Sequence, residues 1–285
     1  MGKSVNCLLP YKLKNSITFC LSLEREEPNR CIMVEQIDMS KVLFLDAECV
    51  SGTAVFDDLS PEMQDLWRIK CRQVLRKPAE EITEEEVATT YTERAGIFAE
   101  FGKIVCLSVG VAYRDQDQNV RVRLTSFAGD DERKILMDFS ELLAQYYADL
   151  SRQFICGHNI KEFDIPYICR RMVVHQLPFP PALQITGKKP WETGHLLDTM
   201  ELWKFGDRKN FTSLKLLAAL LGFPSPKDDI DGSDVGRVYW SEKDLSRIAH
   251  YCEKDVLATI QLFRRYQRKP LLTEEQYTHV DRESA

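Results

Sequence analysis

The chain has 285 residues, of which 44% are hydrophobic, and its formal net charge is −6 at pH 7. This composition supports a packed core and excludes a chain that is disordered throughout. The acidic balance means that any nucleic-acid partner must be held by a local basic patch and by bound cations. Because no apolar run approaches the roughly 20 residues that cross a bilayer, we expect no contact with a membrane.

Nine cysteines are scattered along the chain, and no two of them have C-x-x-C spacing. This pattern argues against a structural zinc site and, without a secretory signal, favours reduced thiols and a cytoplasmic location. Residues 1–38 show no sustained hydrophobic period, and we expect a disordered N-terminal extension there. Residues 39–268 are predicted to form the folded domain, and residues 269–285 a polar C-terminal tail.

The predicted strands are short apolar or alternating runs at residues 41–46, 103–113, 120–127 and 154–156, and residues 196–198 are expected to form a short strand or a turn. Periodicity and cap residues predict helices at residues 60–75, 83–88, 130–150, 214–221 and 241–267, with another beginning near residue 164. The predicted caps are Ser60, Asp130 or Asp131, Ser213, and a capping box at Ser241-Glu-Lys-Asp244. This order predicts an α/β fold with a mixed β-sheet flanked by helices.

Two acids, Asp46 and Glu48, follow the first predicted strand. Side chains alternate along a strand, so both carboxylates point to the same face, roughly 6–7 Å apart. Carboxylates held together at the end of a buried strand repel each other and lose hydration, and a divalent cation such as Mg²⁺ or Mn²⁺ removes both costs. Such a pair is more often a solvated exit from a sheet, so the interpretation depends on further acids downstream.

Two such acids lie far along the chain. Asp164 lies between the end of a predicted strand and the start of a predicted helix, which is the usual location of functional sites in α/β proteins. The alternative is that Asp164 serves only as a helix cap. Asp255 borders the buried stripe of the last predicted helix, where an aspartate is uncommon unless it is paired. The alternative for Asp255 is an exposed acid paired with Lys254 or Arg264.

A tyrosine and a histidine compete as the partner of Asp255. Tyr251 precedes it by four residues and shares its helix face, whereas His250 precedes it by five residues and falls about 140° away. A continuous helix therefore predicts that Tyr251, and not His250, faces the acid. The alternative for Tyr251 is a core tyrosine whose hydroxyl is bonded to a backbone group.

Together these stretches resemble the DEDD superfamily of 3′–5′ exonucleases, which share the ribonuclease H-like fold. The matching motifs are Asp46-x-Glu48, Asn159-x3-Phe163-Asp164 and Tyr251-x3-Asp255. The last of them is typical of the tyrosine (DEDDy) branch. Longer stretches, including 157–167 and 225–233, resemble bacterial exonucleases related to the proofreading domain of family-B DNA polymerases. The resemblance covers about residues 41–268.

The resemblance implies a metal-dependent 3′–5′ exonuclease acting on the 3′ ends of single-stranded nucleic acid, DNA more than RNA, and releasing nucleoside 5′-monophosphates. It implies a mechanism with two divalent cations, Mg²⁺ or Mn²⁺. By the family pattern the metal ligands are Asp46, Glu48, Asp164 and Asp255. Tyr251 is then the residue that orients the attacking water.

Substrate contacts are also predicted. Asn159 and Phe163 are placed to line a slot for the terminal nucleotide, with the ring available for stacking. Phosphate contacts are expected from residues in nearby loops, namely Lys188, Lys189, Arg208 and Lys209. Trp191 either stacks on a base or packs in the core. Two other functions fit the same motifs, a non-catalytic nucleic-acid-binding module and a phosphodiesterase for short oligonucleotides.

Overall fold

The computed structural model describes residues 33–209, 211–225 and 229–280. Within these ranges six strands form one sheet, namely β1 (Val42–Ser51), β2 (Gly102–Arg114), β3 (Val120–Ala128), β4 (Phe154–Gly157), β5 (Leu196–Asp198) and β6 (Tyr277–His279). Their order across the sheet is β5-β4-β1-β2-β3-β6. β2 runs antiparallel to both of its neighbours, whereas β1, β4 and β5 run parallel. The carboxyl ends of β4 and β5 therefore lie at one edge, beside β1.

The helices of the described residues are α1 (Pro61–Leu75), α2 (Glu84–Arg94), α3 (Glu132–Tyr146), α4 (Asp164–Val174), α5 (Thr199–Lys204), α6 (Leu214–Leu221), α7 (Val235–Arg237) and α8 (Leu245–Tyr266). Predicted caps are confirmed at three of them. Ser60, Asp131 and Ser213 each accept a hydrogen bond from a backbone N–H in the first turn of α1, α3 and α6. None of these helices is long and apolar enough to cross a bilayer.

Helices cover both faces of the sheet. On one face, α3 and α4 pack over alternate side chains of β1 and β2, including Leu43, Leu45 and Leu107. On the other face, α8 packs over Phe44 and Leu124. This arrangement confirms the predicted α/β fold, a mixed β-sheet flanked by helices.

Small side chains on β2 let α8 approach the sheet closely. Residues 107 and 109 are large and face α3, whereas Cys106, Ser108 and Gly110 alternate with them and face α8. A Cβ atom at Gly110 would lie 2.8 Å from side-chain atoms of both Val256 and Ile260, closer than atoms can pack. The close approach brings the polar residues of α8 within reach of β1.

The predicted start of the last helix at Ser241 is wrong. Ser241 lies in a π-helical turn (Val238–Glu242), and Lys243 after it adopts a left-handed φ of 58° that breaks the helix. α8 begins at Leu245, where Asp244 caps it by accepting a hydrogen bond from the Arg247 N–H. The burial of Val238 and Tyr239 against the core holds the separate turn in place. The predicted continuity of the helix through residues 250–255 is confirmed.

Both ends of the described chain pack against the predicted domain. Residues 1–32, most of the predicted extension, lie outside the described residues, as do residues 281–285. Val34 and Ile37 are buried, and the Gln267 amide donates to their carbonyl oxygens at 3.1 and 2.7 Å. Within the predicted tail, β6 pairs in parallel with β3, a strand for which the sequence analysis had no signal.

Candidate active site

A cleft of about 300 Å³ opens beside the middle of β1, at the point where its parallel neighbour β4 ends. All the side chains predicted to carry the chemistry line it, namely Asp46, Glu48, Asp164, Tyr251 and Asp255. They come from β1, from the first turn of α4 and from α8. The fold therefore brings together three chain segments that are separated by about a hundred residues each.

The two acids of β1 lie on the same face, as their spacing predicts. Carboxylate oxygens of Asp46 and Glu48 and the sulfur of Cys252 all lie within 4.8 Å of one another. Asp46 is half-buried, and Glu48 is only 8% exposed. A β-bulge between Glu48 and Cys49 shifts the register with β2 immediately after this pair. Bulges are frequent beside active sites because they re-aim the neighbouring side chains.

Asp164 reaches the cleft because a tight turn after β4 packs against β1. A Cβ atom at Gly157 would lie 2.9 Å from the carbonyl oxygen of Leu45, so only glycine permits this approach. Asn159 then adopts a left-handed φ of 68°. Asp164 is the first residue of α4, is 4% exposed, and is not the helix cap, a position that Phe163 occupies. The alternative that Asp164 serves only as a cap is therefore wrong.

A fifth acid, Asp198, holds this turn in place. It is 4% exposed at the end of β5, and its carboxylate accepts hydrogen bonds from four backbone N–H groups. Two of the donors, Asn159 and Lys161, belong to the turn, and two belong to the first turn of α5. Asp198 is not among the functional residues predicted from the sequence. The available signal was an acid at a strand end immediately before a helix.

The carboxylates strongly perturb one another. Burial, together with the charges of Asp255, Asp164 and Glu48, raises the pKa of Asp46 well above its ordinary value. Burial also raises the pKa of Asp164 to about 7, with contributions from Asp198 and Asp255, although backbone hydrogen bonds oppose the shift. Without a cation, the cluster therefore retains protons near neutral pH. A set of donors made of carboxylate oxygens fits divalent cations such as Mg²⁺ and Mn²⁺.

The structure separates the two candidate partners of Asp255. Tyr251 is 5% exposed, lines the cleft and hydrogen bonds to Asp255 through its hydroxyl. Burial and the surrounding carboxylates raise the pKa of Tyr251 far above its ordinary value, so the phenol stays protonated. His250 is exposed and does not line the cleft; its ring lies 5.3 Å from that of His279.

The predicted substrate contacts divide into two groups. Asn159 and Phe163 line the cleft of the acids, and Phe163 is half-buried with its ring 5.6 Å from that of Tyr167. A second cleft of about 690 Å³ adjoins the first one, because Asn159 and Met200 line both. Lys188 and Arg208 line this second cleft.

The other predicted contacts lie outside these two clefts. Neither Lys189 nor Lys209 lines either of them. Trp191 is 66% exposed, and the ammonium of Lys189 lies over its ring, 5.1 Å from the ring centre. The alternative that Trp191 packs in the core is therefore wrong.

Two further residues of the first cleft were missed by the sequence analysis. Among the described residues that line the cleft, Lys215, two residues after the cap of α6, is the only basic side chain other than histidine. His158 bridges the turn to the start of α6, with Nε2 3.0 Å from the Thr212 carbonyl oxygen and Nδ1 2.9 Å from Thr199 Oγ1. Burial lowers the pKa of His158, which favours a neutral ring.

A family model described as a predicted 3′–5′ exonuclease related to the exonuclease domain of PolB matches residues 98–283. The chain belongs to this exonuclease family. The matched residues include Asp164, Tyr251 and Asp255, and they begin after the first pair of acids.

Similar proteins include DNA polymerases of archaea. A DNA polymerase of Archaeoglobus fulgidus is 27% identical over 224 residues, which are 75% of this chain and 27% of the polymerase. The structure of the family B DNA polymerase from Pyrobaculum calidifontis matches with a TM-score of 0.46 and 16% identity, over 79% of this chain and 24% of that one. The chain thus spans about a quarter of the length of these polymerases.

Proposed function

We propose that this exonuclease-family protein is a metal-dependent 3′–5′ exonuclease that acts on single-stranded ends, DNA more than RNA, and releases nucleoside 5′-monophosphates. The observation that supports the proposal is the single cleft shared by four carboxylates and a tyrosine from three distant segments. A module that only binds nucleic acid has no use for a cluster of acids whose burial and mutual repulsion raise their pKa values.

In this proposal Asp46, Glu48, Asp164 and Asp255 hold two divalent cations, Mg²⁺ or Mn²⁺. When bound, such cations lower the pKa of a water nucleophile and stabilise the leaving 3′ oxygen. Tyr251 orients the water. Because its hydroxyl donates to Asp255, the phenol oxygen keeps lone pairs that accept a hydrogen bond from the water. Burial and the neighbouring carboxylates raise the pKa of Tyr251 in the metal-free cleft, which suits a residue that positions the water as a protonated phenol.

The second cleft supplies a path for the nucleotides that precede the scissile bond. Two of its four basic residues are neutralised by ion pairs, Lys161 with Glu201 at 2.6 Å and Lys204 with Glu162 at 3.7 Å. Lys188 and Arg208 form no ion pair with any described residue, which leaves them available to phosphates. The length of this cleft and its two available cations, Lys188 and Arg208, favour a polymer over a mononucleotide or dinucleotide substrate.

The test is the digestion of a single-stranded 20-mer labelled at its 5′ end. We expect a ladder that shortens from the 3′ end in Mg²⁺ or Mn²⁺ and that is abolished by EDTA and by Asp46→Ala. Glu80→Ala, at an exposed position far from the cleft in sequence, is the control and should digest normally. Cleavage that survives both EDTA and Asp46→Ala would refute the proposal.

The same assay separates the two alternatives. Binding of the 20-mer without metal-dependent cleavage identifies a non-catalytic module. A faster rate on a dinucleotide than on the 20-mer identifies a phosphodiesterase for short oligonucleotides.

A further inference from the structure

We propose that Cys252 is a positioning residue whose thiol holds the carboxylate of Asp46 in the orientation that binds metal. The inference rests on the proposed function and adds a residue to its machinery. Cys252 is completely buried on α8, between Tyr251 and Asp255. It touches neither substrate nor the reacting atoms in this proposal, and it acts through Asp46.

The contact between the two residues is direct. The Cys252 sulfur lies 3.3 Å from Oδ2 of Asp46 and 3.5 Å from its backbone carbonyl oxygen. Among the described residues, this thiol is the only group within hydrogen-bonding distance of the Asp46 carboxylate. Asp164, by contrast, receives hydrogen bonds from the backbone, including that of Ala47. The orientation of Asp46 therefore depends on one side chain.

The contact also joins the two elements that carry most of the site. Asp46 and Glu48 stand on β1, while Tyr251 and Asp255 stand on α8. Cys252 lies three residues before Asp255, so the thiol that donates to Asp46 connects this part of α8 directly to β1. The small side chains of β2 beneath α8 leave room for this close contact.

A chain of buried polar side chains lies behind Cys252, and it ends at Cys106, a second acceptor for the Cys252 proton. Ser126 Oγ donates to Glu253 Oε1 at 2.7 Å, so it accepts the proton of Ser108 Oγ, which lies 2.7 Å away. Ser108 in turn lies 3.5 Å from the sulfur of Cys106 and accepts from it. Cys106 also contacts Cys252, but a carboxylate is a much stronger acceptor than a thiol sulfur. The Cys252 proton therefore goes to Asp46.

A thiol suits this position for two reasons. It is a weak donor, so it orients the carboxylate without withdrawing the charge that a cation needs. It also packs as a small apolar group in the buried cluster that includes Val50, Val105 and Ile248. Partners that orient a metal ligand contribute substantially to metal affinity even though they do not touch the metal.

The experiment compares full-length wild type with Cys252→Ala and Cys252→Ser. Mn²⁺ binding is measured by isothermal titration calorimetry without substrate, and cleavage of the 20-mer is measured across a Mn²⁺ series. Cys71→Ala is the matched control, because Cys71 is equally buried but lies in the separate aromatic cluster around Trp67. Thermal unfolding is recorded for every variant.

For Cys252→Ala we expect Mn²⁺ affinity to fall about tenfold or more, with a matching rise in the half-saturating Mn²⁺ concentration and little change in KM for the oligonucleotide. Cys252→Ser keeps a donor and should restore both values to within about threefold of wild type. Cys71→Ala should lose stability but bind Mn²⁺ normally. Unchanged Mn²⁺ affinity in Cys252→Ala, or a serine variant as defective as the alanine variant, would overturn the inference.

Two outcomes separate this inference from the proposed function. If the wild-type protein binds Mn²⁺ but cleaves no oligonucleotide, only the proposed function is overturned. The Mn²⁺ titrations of the Cys252 variants then still test the role of Cys252. Wild type that binds no Mn²⁺ overturns both. If Cys252→Ala does not fold, Cys252→Val replaces it as a variant that fills the space without a donor, with the same expected loss of affinity.

Discussion

Replacing Tyr251 by phenylalanine isolates the contribution of one hydroxyl. The ring is 5% exposed and packs in the cluster that includes Ile248 and Val238, so phenylalanine keeps the packing and α8 stays in place. What is lost is the hydroxyl that contacts Asp255 and, in the proposed function, the attacking water. A hydrogen bond to a charged group contributes about 1.5–3 kcal/mol, which corresponds to a decrease in kcat of about 10- to 150-fold.

The assay is the digestion of the labelled 20-mer at saturating Mn²⁺, with kcat and KM determined separately. We expect Tyr251→Phe to lower kcat with little change in KM, because the hydroxyl acts on the water and not on substrate binding. His250→Gln is the matched control on the same helix and should stay within about twofold of wild type, because His250 is exposed outside the cleft. A larger effect of His250→Gln than of Tyr251→Phe would refute this assignment.

Three further predictions concern the surroundings of the cleft. Asp198→Ala removes the acceptor of four backbone N–H groups. We expect denaturant titration to show a loss of about 1–3 kcal/mol in the free energy of unfolding, and the digestion assay to show reduced cleavage. The pKa of Asp164 is about 7 in the folded protein and 3.8 ordinarily, so the folded state holds a proton that the unfolded chain has released. The metal-free protein should therefore lose stability as the pH rises from about 4 to about 7, and Asp164→Asn should flatten this slope in thermal unfolding with EDTA. Replacing Lys188 and Arg208 together by alanine should raise KM for the 20-mer several-fold at low salt and less at high salt, whereas Lys189→Ala should leave it unchanged.

Each of these three predictions has a result that would contradict it. Wild-type stability in Asp198→Ala would mean that the turn does not depend on the carboxylate. An identical pH slope in Asp164→Asn would mean that this acid ionises normally in the fold. An equal rise of KM in Lys189→Ala would mean that the strand does not follow the second cleft.

Much of the architecture is readable from local sequence. The apolar run of β1 and the caps at Ser60 and Ser213 are patterns that span only a few residues. Such patterns follow from the alternation of side chains along a strand and from the hydrogen bonds at helix ends. They therefore identify individual strands and helices without knowledge of the fold. The spacing of Tyr251 and Asp255 belongs to the same class, because it depends only on the helix they share.

Tertiary packing decided what those patterns leave open. Both Ser241 and Asp244 suit a helix cap, and the burial of Val238 and Tyr239 in a separate turn selected Asp244. Lys188 and Lys189 are adjacent lysines in one loop, yet only Lys188 lines the second cleft.

The sequence by itself therefore determined the first four strands, several of the helix ends, the candidate acids and the choice of Tyr251 over His250. Only the tertiary structure brought Asp198 under the turn, placed β6 beside β3 and set the thiol of Cys252 against Asp46. The last contact joins residues 206 positions apart. Whether such groups meet depends on how the helices and the sheet pack in three dimensions. A local hydrophobic period or a helix-cap residue carries no information about that packing.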